Sequence, residues 1–475
     1  MTRPLASLLL TAGLVLGGCT LAPEYLQPQP PIETTWPQAD TVATVEPQAP
    51  LAAELNWQNF FADTKLRQVV ALALESNRDL RLASLNVERA RGLYGIQGSE
   101  LYPTLDATGA YSKQRLAQSA SFGGSQVMES YAVNFGVSAW EIDFFGRIRS
   151  LKAQALEAFF ASEEARRGGQ ISLIAEVART YLTLAADQEN LQLAQATLAT
   201  RQQSYAMIQK SFDIGYATEL DLRQAQIPLE AARLDLARFT QLVAQDKNAL
   251  TLLAGGKVAE QLLPANLAGV AAPAEISAGL PSEVLLQRPD ILAAEHQLKG
   301  AYAFLGAARA AFFPRISLTG LLGSASGELS GLFGAGSQTW LFSPSLTLPI
   351  FDARTWAAHR VSQTDRDIAL AQYEKTIQTA FREVADALAV KNTIDQQLLA
   401  QQGLVTATAE AERLAKLRYE HGLDNYLGVL DAARALFTAK QGLVALRLAK
   451  LTNQVHLFAV LGGGADLQQA ATAVE

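Results

Sequence analysis

Residues 418–434 read Arg-Tyr-Glu-His-Gly-Leu-Asp-Asn-Tyr-Leu-Gly-Val-Leu-Asp-Ala-Ala-Arg and interrupt two long helical patterns at Gly422. A divergent counterpart, residues 211–227, reads Ser-Phe-Asp-Ile-Gly-Tyr-Ala-Thr-Glu-Leu-Asp-Leu-Arg-Gln-Ala-Gln-Ile and is interrupted at Gly215. Glycine ends helices because it adopts the left-handed backbone conformation at no steric cost. We therefore predict two matching hinges, each joining a long outgoing helix to a long returning helix.

The outgoing helical patterns are unusually long. No proline occurs between residues 149 and 212 or between residues 354 and 419. About 65 helical residues at a rise of 1.5 Å span roughly 100 Å, which no compact domain requires. The pattern favours coiled-coil or tube packing. Pro228 lies inside the first returning segment, where it removes a backbone donor and predicts a bend, with a harmless surface kink as the alternative.

The chain contains an internal duplication. A shift of 211 residues aligns Asp79 with Asp290, and a shift of 207 residues aligns Gly215 with Gly422. The predicted organisation is a signal peptide at 1–18, an extended strap at 19–56, a first repeat at 57–256, a link at 257–280, a second repeat at 281–463 and a tail at 464–475. The first repeat has predicted strands at about 101–117 and 128–142 and long helices at about 149–214 and 218–254. The second has strands at about 314–327 and 338–350 and long helices at about 354–421 and 424–461. A further helical pattern extends from about Asp63 to Gly98.

The predicted strands alternate apolar residues with small or polar ones. This period-2 pattern is typical of membrane β-strands, although a half-buried soluble sheet also fits it. Open strand edges are not tolerated in lipid, so four strands of one chain would have to share a closed barrel with other chains. The predicted lipid-facing residues are Tyr131, Val133, Phe135, Val137, Ile316, Leu318, Trp340, Phe342, Leu346 and Leu348.

The N-terminus has the composition of a secretory signal. Arg3 precedes an apolar segment that ends in Leu16-Gly17-Gly18-Cys19. A cysteine in this context looks like a bacterial lipobox, which predicts that Cys19 is lipid-modified and becomes the mature N-terminus. An ordinary signal peptide with an incidental cysteine is the alternative. Thr20 follows the cysteine in place of an inner-membrane retention aspartate, so we expect the outer membrane.

Composition excludes several classes of function. The net charge of −7 weighs against nucleic acid as a partner, and a single cysteine excludes an intramolecular disulfide. Four histidines and three methionines leave little for a transition-metal site, so we expect no metal and no cofactor. The sequence contains no catalytic constellation that stands out, so we expect no enzyme activity.

Several motifs together resemble the outer-membrane efflux family typified by TolC, and within it the OprM-like lipoproteins of resistance-nodulation-division pumps. The similar segments are the lipobox, the duplicated helix breaks, and the sequences at 287–291, 307–314 and 424–431. The resemblance covers nearly the whole chain. It implies a mainly α-helical fold with a membrane portion, in which a homotrimer forms a twelve-stranded β-barrel and a long α-helical barrel. Edge closure alone does not fix the number three.

The resemblance also implies partners and a role. The partners are a periplasmic adaptor and an inner-membrane pump, and the role is passive, gated export of drugs and other small toxic molecules. The implied gate residues are Leu427, Asp431 and Arg434 in the second break and Asp221 in the first, with Tyr419 at an interhelical latch. Gly428 stands where TolC has a further aspartate, so a double acidic ring from the second copy is in doubt.

Alternative interpretations remain at this level. Leu427, Asp431 and Arg434 lie on one helix face by their spacing, which also fits a solvated face with an ordinary ion pair. We hypothesise that Arg434 bridges Asp431 of its own or a neighbouring helix. The chain could instead be a lipid-anchored periplasmic coiled-coil scaffold, or the same duct could serve type I protein secretion or metal efflux.

Overall fold

A computed structural model describes residues 20–33, 35–37, 55–115, 127–276 and 282–464. The helices are α1 (Trp57–Phe60), α2 (Thr64–Ser76), α3 (Arg78–Ser99), α4 (Arg147–Asp213), α5 (Glu219–Leu253), α6 (Pro289–Ala310), α7 (Ala353–Glu420) and α8 (Tyr426–Val460). The strands are β1 (Asp106–Arg115), β2 (Val127–Ile142), β3 (Arg315–Ser326) and β4 (Gln338–Thr347). The described part of the chain contains no helix that is both long and apolar enough to span a membrane.

The chain divides into two compact units. Of the described residues, the strand unit contains 20–29, 86–115, 127–162 and 293–373, and the helix unit contains 30–33, 35–37, 55–85, 163–276, 282–292 and 374–464. The two long helices α4 and α7 each contribute residues to both units.

The strand unit contains one antiparallel sheet with the order β1-β2-β3-β4. The central pair β2 and β3 therefore joins the two repeats. At the end of this pair, Glu141 accepts hydrogen bonds from Arg147 Nε at 2.8 Å and Nη2 at 2.9 Å, and also pairs with Arg315. Asp143 accepts hydrogen bonds from the backbone N–H groups of Ile148 and Arg149, which fixes the start of α4.

A β-bulge interrupts β2 and keeps its apolar residues on one side. Val137 pairs with Gly320 and Trp140 with Leu318, so β2 advances by three residues where β3 advances by two. Ala139 has a positive φ of 51°, and its N–H donates to Thr319 Oγ1 at 3.0 Å. A one-residue excess reverses the alternation of side chains beyond it. Trp140 therefore shares a face with Val137 although the sequence spacing predicts opposite faces.

The strap residues 20–29 have no helix or strand and pack on α6 within the strand unit. Tyr25 Oη donates to Glu295 Oε1 at 3.1 Å, and its ring meets Tyr302 edge to face at 5.5 Å. Burial, followed by the charge of Glu295, raises the pKa of Tyr25. Gly306 lies directly against Ala22, since a Cβ at this glycine would lie 2.7 Å from Ala22 Cα.

The helix unit has an aromatic core at one end of α8. Phe60 and Phe458 are both buried, and their rings stack at 3.9 Å with an angle of 4° between planes. Phe61 meets Phe458 edge to face at 6.4 Å. Burial of each such aromatic side chain contributes about 1.5–3 kcal/mol, so this cluster is a principal attachment of α1 to α8.

The helical pattern predicted from about Asp63 to Gly98 forms two helices, because Asn77 divides it into α2 and α3. The Asn77 carboxamide accepts from Leu80 N–H at 2.9 Å and donates to the Leu253 carbonyl at 2.9 Å. Its backbone is extended, with φ −64° and ψ 133°. The Asn77 side chain thus provides hydrogen bonds to one backbone N–H at the start of α3 and one carbonyl at the end of α5, which have no partner within their own helices.

Candidate functional site

At the first helix break, a glycine ends α4 and a capping box begins α5. Gly215 has φ +81°, and Tyr216 N–H donates to the Ser211 carbonyl at 2.8 Å. Such a bond to the last turn, with glycine in the left-handed conformation, terminates the helix. Thr218 then caps α5, and Asp221 completes a capping box with it.

Asp221 is bound within its own helix start. Its Oδ2 accepts from Thr218 N–H at 2.8 Å and from Thr218 Oγ1 at 2.7 Å, and its own N–H donates to Thr218 Oγ1 at 3.2 Å. The hydrogen bonds from Thr218 hold the pKa of Asp221 below its ordinary value. The carboxylate proposed as a gate acid therefore has a local structural role.

The second break has the same backbone plan as the first but a different start to its returning helix. Gly422 has φ +69°, and Leu423 N–H donates to the Arg418 carbonyl at 2.9 Å. Asn425 caps α8 without a side-chain hydrogen bond. Arg418 and Asp424 form an ion pair across the break, with Nε to Oδ2 at 2.5 Å and Nη2 to Oδ1 at 3.1 Å. Each partner's hydrogen bond favours the other's charge, which raises the pKa of Arg418 and lowers the pKa of Asp424.

The two breaks meet through aromatic residues of the helix unit. Tyr426 of α8 packs against a buried cluster of Ile208, Leu222 and Ala225 that belongs to the first break. The rings of Tyr419 and Tyr426 lie 5.0 Å apart. Burial raises the pKa of Tyr419, with smaller contributions from Tyr426 and the charge of Asp221. Tyr419 is therefore close to both breaks.

Leu427, Asp431 and Arg434 lie together along a groove. Arg434 Nη2 donates to Asp431 Oδ1 at 2.5 Å within the same helix, and both side chains are largely exposed. Leu427 is half exposed. Pro228 lies inside the continuous helix α5 and lines the same groove. The structure thus brings three of the predicted gate residues next to the proline of the other repeat.

Sequence reasoning missed several residues around the breaks. Thr218 is recognisable in retrospect from its capping-box spacing to Asp221. Arg418 and Asp424 had no local signal, since an ion pair across a turn depends on the turn geometry. Arg201 of α4 also lines the groove and is 7% exposed, and no sequence pattern distinguishes it from the surface arginines.

The strand register places the predicted lipid-facing residues on one face of the sheet. Directly paired residues of antiparallel strands share a face. Ile316 pairs with Leu346 and Ile142, and Leu322 pairs with Trp340 and Phe135. The same face of the strands carries Tyr131, Val133, Phe135, Val137, Ile316, Leu318, Trp340, Phe342 and Leu346. Leu348 follows the end of β4 and is half exposed, and contact of this face with lipid stays a prediction.

The two other predicted site features are lipid modification of Cys19 and the absence of a metal site. Cys19 lies outside the described residues. Among the residues that the structure describes, no group of three or more His, Cys, Asp and Glu side chains is arranged to hold a metal ion.

Long helices that turn back at two unequal breaks and a small sheet with one apolar face make up a fold that the chain shares with solved outer-membrane channels. The chain belongs to the outer membrane efflux protein family, whose model matches residues 69–256 and 280–463. It is an outer-membrane efflux channel of the TolC-like class.

Relatives and solved structures agree with this assignment. The toluene efflux pump outer membrane protein TtgC of Pseudomonas putida is 46% identical over 466 residues, covering 98% of this chain and 96% of the relative. A membrane protein of Pseudomonas aeruginosa has a crystal structure with a TM-score of 0.85 and 41% identity, covering 93% of this chain and all of that one. The crystal structure of the open state of the Neisseria gonorrhoeae MtrE outer membrane channel matches with a TM-score of 0.82 and 38% identity. The match covers 94% of this chain and 99% of that one.

Proposed function

We propose that this chain forms the exit duct of a tripartite pump and lets drugs and other small toxic molecules leave passively across the periplasm and outer membrane. The observation that carries the proposal is the four-stranded sheet, which has an apolar face and edge strands β1 and β4. Exposed strand edges in lipid would leave backbone groups without hydrogen bonds. Pairing with further copies removes those edges, and three copies give an even-numbered barrel of twelve strands.

The relatives are named as outer membrane proteins of efflux pumps, which supports pump partners for this chain. A homotrimer would bind a periplasmic adaptor and, through it, an inner-membrane resistance-nodulation-division pump, which supplies the energy that a passive duct lacks. Lipid on Cys19 would hold the mature N-terminus at the outer membrane. The relatives' names refer to toluene and antibiotics, which favours apolar organic molecules as the exported class.

The proposed gate is the groove face that carries Leu427, Asp431 and Arg434. In an assembly around an axis each of these residues would form a ring, so that a small local change is repeated in every copy. An exposed ion pair contributes only about 0–1 kcal/mol, which suits a closure that an adaptor can reverse. Gly215 and Gly422 would act as the hinges of the motion, with Pro228 bending the first returning helix.

The decisive experiment combines a cellular and a physical measurement. Deletion of the gene is expected to lower the minimal inhibitory concentrations of a drug panel and tolerance to toluene, and the wild-type gene is expected to restore both. The purified chain should form detergent-stable trimers that conduct ions in planar bilayers. Unchanged susceptibility together with absence of conductance would support a periplasmic scaffold instead. Conductance with normal drug susceptibility but failed protein export would indicate type I secretion.

A further inference from the structure

Arg201 of α4 is a buried cation without a partner of opposite charge. Its side chain is 7% exposed, and it forms no ion pair with an acidic side chain of the described residues. Burial lowers the pKa of the Arg201 guanidinium from its ordinary value, although Tyr426 and Glu412 act weakly in the opposite direction. A charge held away from water without a counter-ion is costly, so an anion at this position would be strongly favoured.

Arg201 lines a groove of about 260 Å³. The groove wall is mostly apolar and includes Ile227, Pro228, Leu427, Leu430 and Phe437. A mostly apolar wall with a small number of polar and charged groups is typical of sites for small organic molecules.

The other charged side chains of the groove already have partners. Asp431 pairs with Arg434 at 2.5 Å, and Asp235 lies 3.8 Å from Arg238. Among the charged residues that line the groove in the described part of the chain, Arg201 therefore forms no ion pair with an acidic side chain. A ligand that complements the site needs one negative charge and an apolar body.

We propose that the groove binds a small organic carboxylate, with the carboxylate against Arg201 and an aromatic or alkyl body along Pro228, Leu427 and Phe437. The planar guanidinium can donate two parallel hydrogen bonds to a carboxylate, which gives both energy and orientation. Because Leu427, Asp431 and Arg434 form part of the same wall, a bound molecule would contact the proposed gate face directly. Binding itself does not depend on the chain being an exporter.

The test uses the full chain reconstituted in lipid nanodiscs and equilibrium dialysis against 2-naphthoate. Its uncharged analogue, 2-naphthamide, has the same ring system and serves as the matched ligand. Empty nanodiscs correct for partition into lipid. Arg201→Met removes the charge at similar length, Arg201→Lys keeps it, and Arg233→Met is the control because Arg233 is an exposed arginine paired with Glu230 on α5.

Wild type and Arg233→Met are expected to bind one naphthoate per chain. Both proteins should bind naphthamide at least about ten-fold more weakly than naphthoate, because the hydrogen bond to a charged group is lost. Arg201→Met should lower naphthoate affinity by a similar factor, and Arg201→Lys should retain part of it. Equal binding of the two ligands, or unchanged binding in Arg201→Met, would overturn the proposal. Dissociation of the Arg201→Met oligomer, with no naphthoate binding to either protein, would also overturn it and would assign the counter-charge to another copy of the chain.

The outcome is separable from the proposed export role. Drug susceptibility of cells that produce wild-type protein tests export without reference to Arg201. Normal export with no naphthoate binding would reject the site alone, whereas specific naphthoate binding without export would reject the duct alone.

Discussion

The hydroxyl of Thr218 and the carboxylate of Asp221 bind each other at the start of α5, at 2.7 Å between Oγ1 and Oδ2. No corresponding side-chain hydrogen bond caps α8, where Asn425 occupies the equivalent position. The first returning helix is therefore fastened by its own residues, whereas the second depends on the Arg418–Asp424 ion pair outside the helix. The two breaks have the same backbone plan but different restraints.

We predict that Thr218→Ala loosens the first turn of α5. Loss of an N-cap hydrogen bond costs about 1 kcal/mol, so hydrogen exchange of the first-turn amides should accelerate about five-fold. Asn425→Ala is the matched control at α8, where no cap hydrogen bond is lost. Equal acceleration in the two variants would mean that the capping box does not hold α5.

The same cap should respond to acid. The folded pKa of Asp221 is held below its unfolded value near 3.9 by the hydrogen bonds from Thr218. A depressed carboxyl pKa gives stability that is present above the unfolded value and lost as the pH falls through the folded value. Exchange at the start of α5, corrected for its intrinsic pH dependence, should therefore rise on strong acidification. Asp221→Asn should remove this rise, and its persistence in that variant would assign it to another group.

A second pair of carboxyl groups predicts the opposite response. Burial, followed by the charge of Asp187, raises the pKa of Asp246 to about 6. Burial also raises the pKa of Asp187, against the opposing effects of hydrogen bonds with Asp246 and Asn190 and of the charge of Arg238. A raised folded pKa gives stability that is complete below the unfolded value near 3.9 and lost as the pH rises through about 6. Protection of the α4–α5 pairing should thus be greater at pH 5 than at pH 7.

Asp246→Asn tests that response, since the amide keeps the size of the side chain and cannot titrate. In this variant, the excess of protection at pH 5 over pH 7 should be much smaller than in wild type by corrected hydrogen exchange, because only Asp187 still titrates. A remaining pH dependence of wild-type size would show that the Asp187–Asp246 pair is not its source.

The proposed gate predicts an effect on conductance. Asp431→Ala with Arg434→Ala should raise single-channel conductance in planar bilayers, because the ion pair that lines the groove is lost. The matched control is Glu410→Ala with Arg413→Ala, an exposed pair of the same spacing on α7. A conductance that is the same in both double variants and wild type would count decisively against the gate.

Packing of the strap on α6 predicts a position-specific effect of adding one methyl group. Gly306→Ala places a Cβ 2.7 Å from Ala22, so the strap backbone must shift, whereas Gly300→Ala meets Glu157 Cβ at an ordinary 3.6 Å. Both changes remove a helix glycine and should stabilise α6 itself by about 1 kcal/mol. Hydrogen exchange of residues 20–30 should accelerate only in Gly306→Ala. Similar strap exchange in both variants would show that this contact does not hold the strap.

Features with local signals were predictable from sequence. Gly215 and Gly422 mark helix ends because their conformation is restricted for other residues, and long proline-free segments indicate long helices whatever they pack against. The apolar face of the strands was predictable as well, since a period of two is a property of the strand itself.

Features set by distant partners were not predictable. Asn77 divides α2 from α3 by donating to the carbonyl of Leu253, which lies far away in sequence. Arg201 is buried because of what packs around it, and its own neighbours in sequence do not distinguish it from an exposed arginine. The Arg418–Asp424 pair requires the turn at Gly422 to form first, so its spacing alone carries little information.

The bulge at Val137–Trp140 has a consequence for how this sheet can change length. Downstream of the bulge, even-numbered residues of β2 occupy the face that odd-numbered residues occupy upstream. A one-residue deletion at Ala139 would remove the excess residue and keep Trp140 and Ile142 on the face that they share with Val137, whereas a two-residue deletion would turn them to the other face. A deletion of one residue should therefore be tolerated at the bulge, whereas insertions and deletions elsewhere within β2 should come in even numbers.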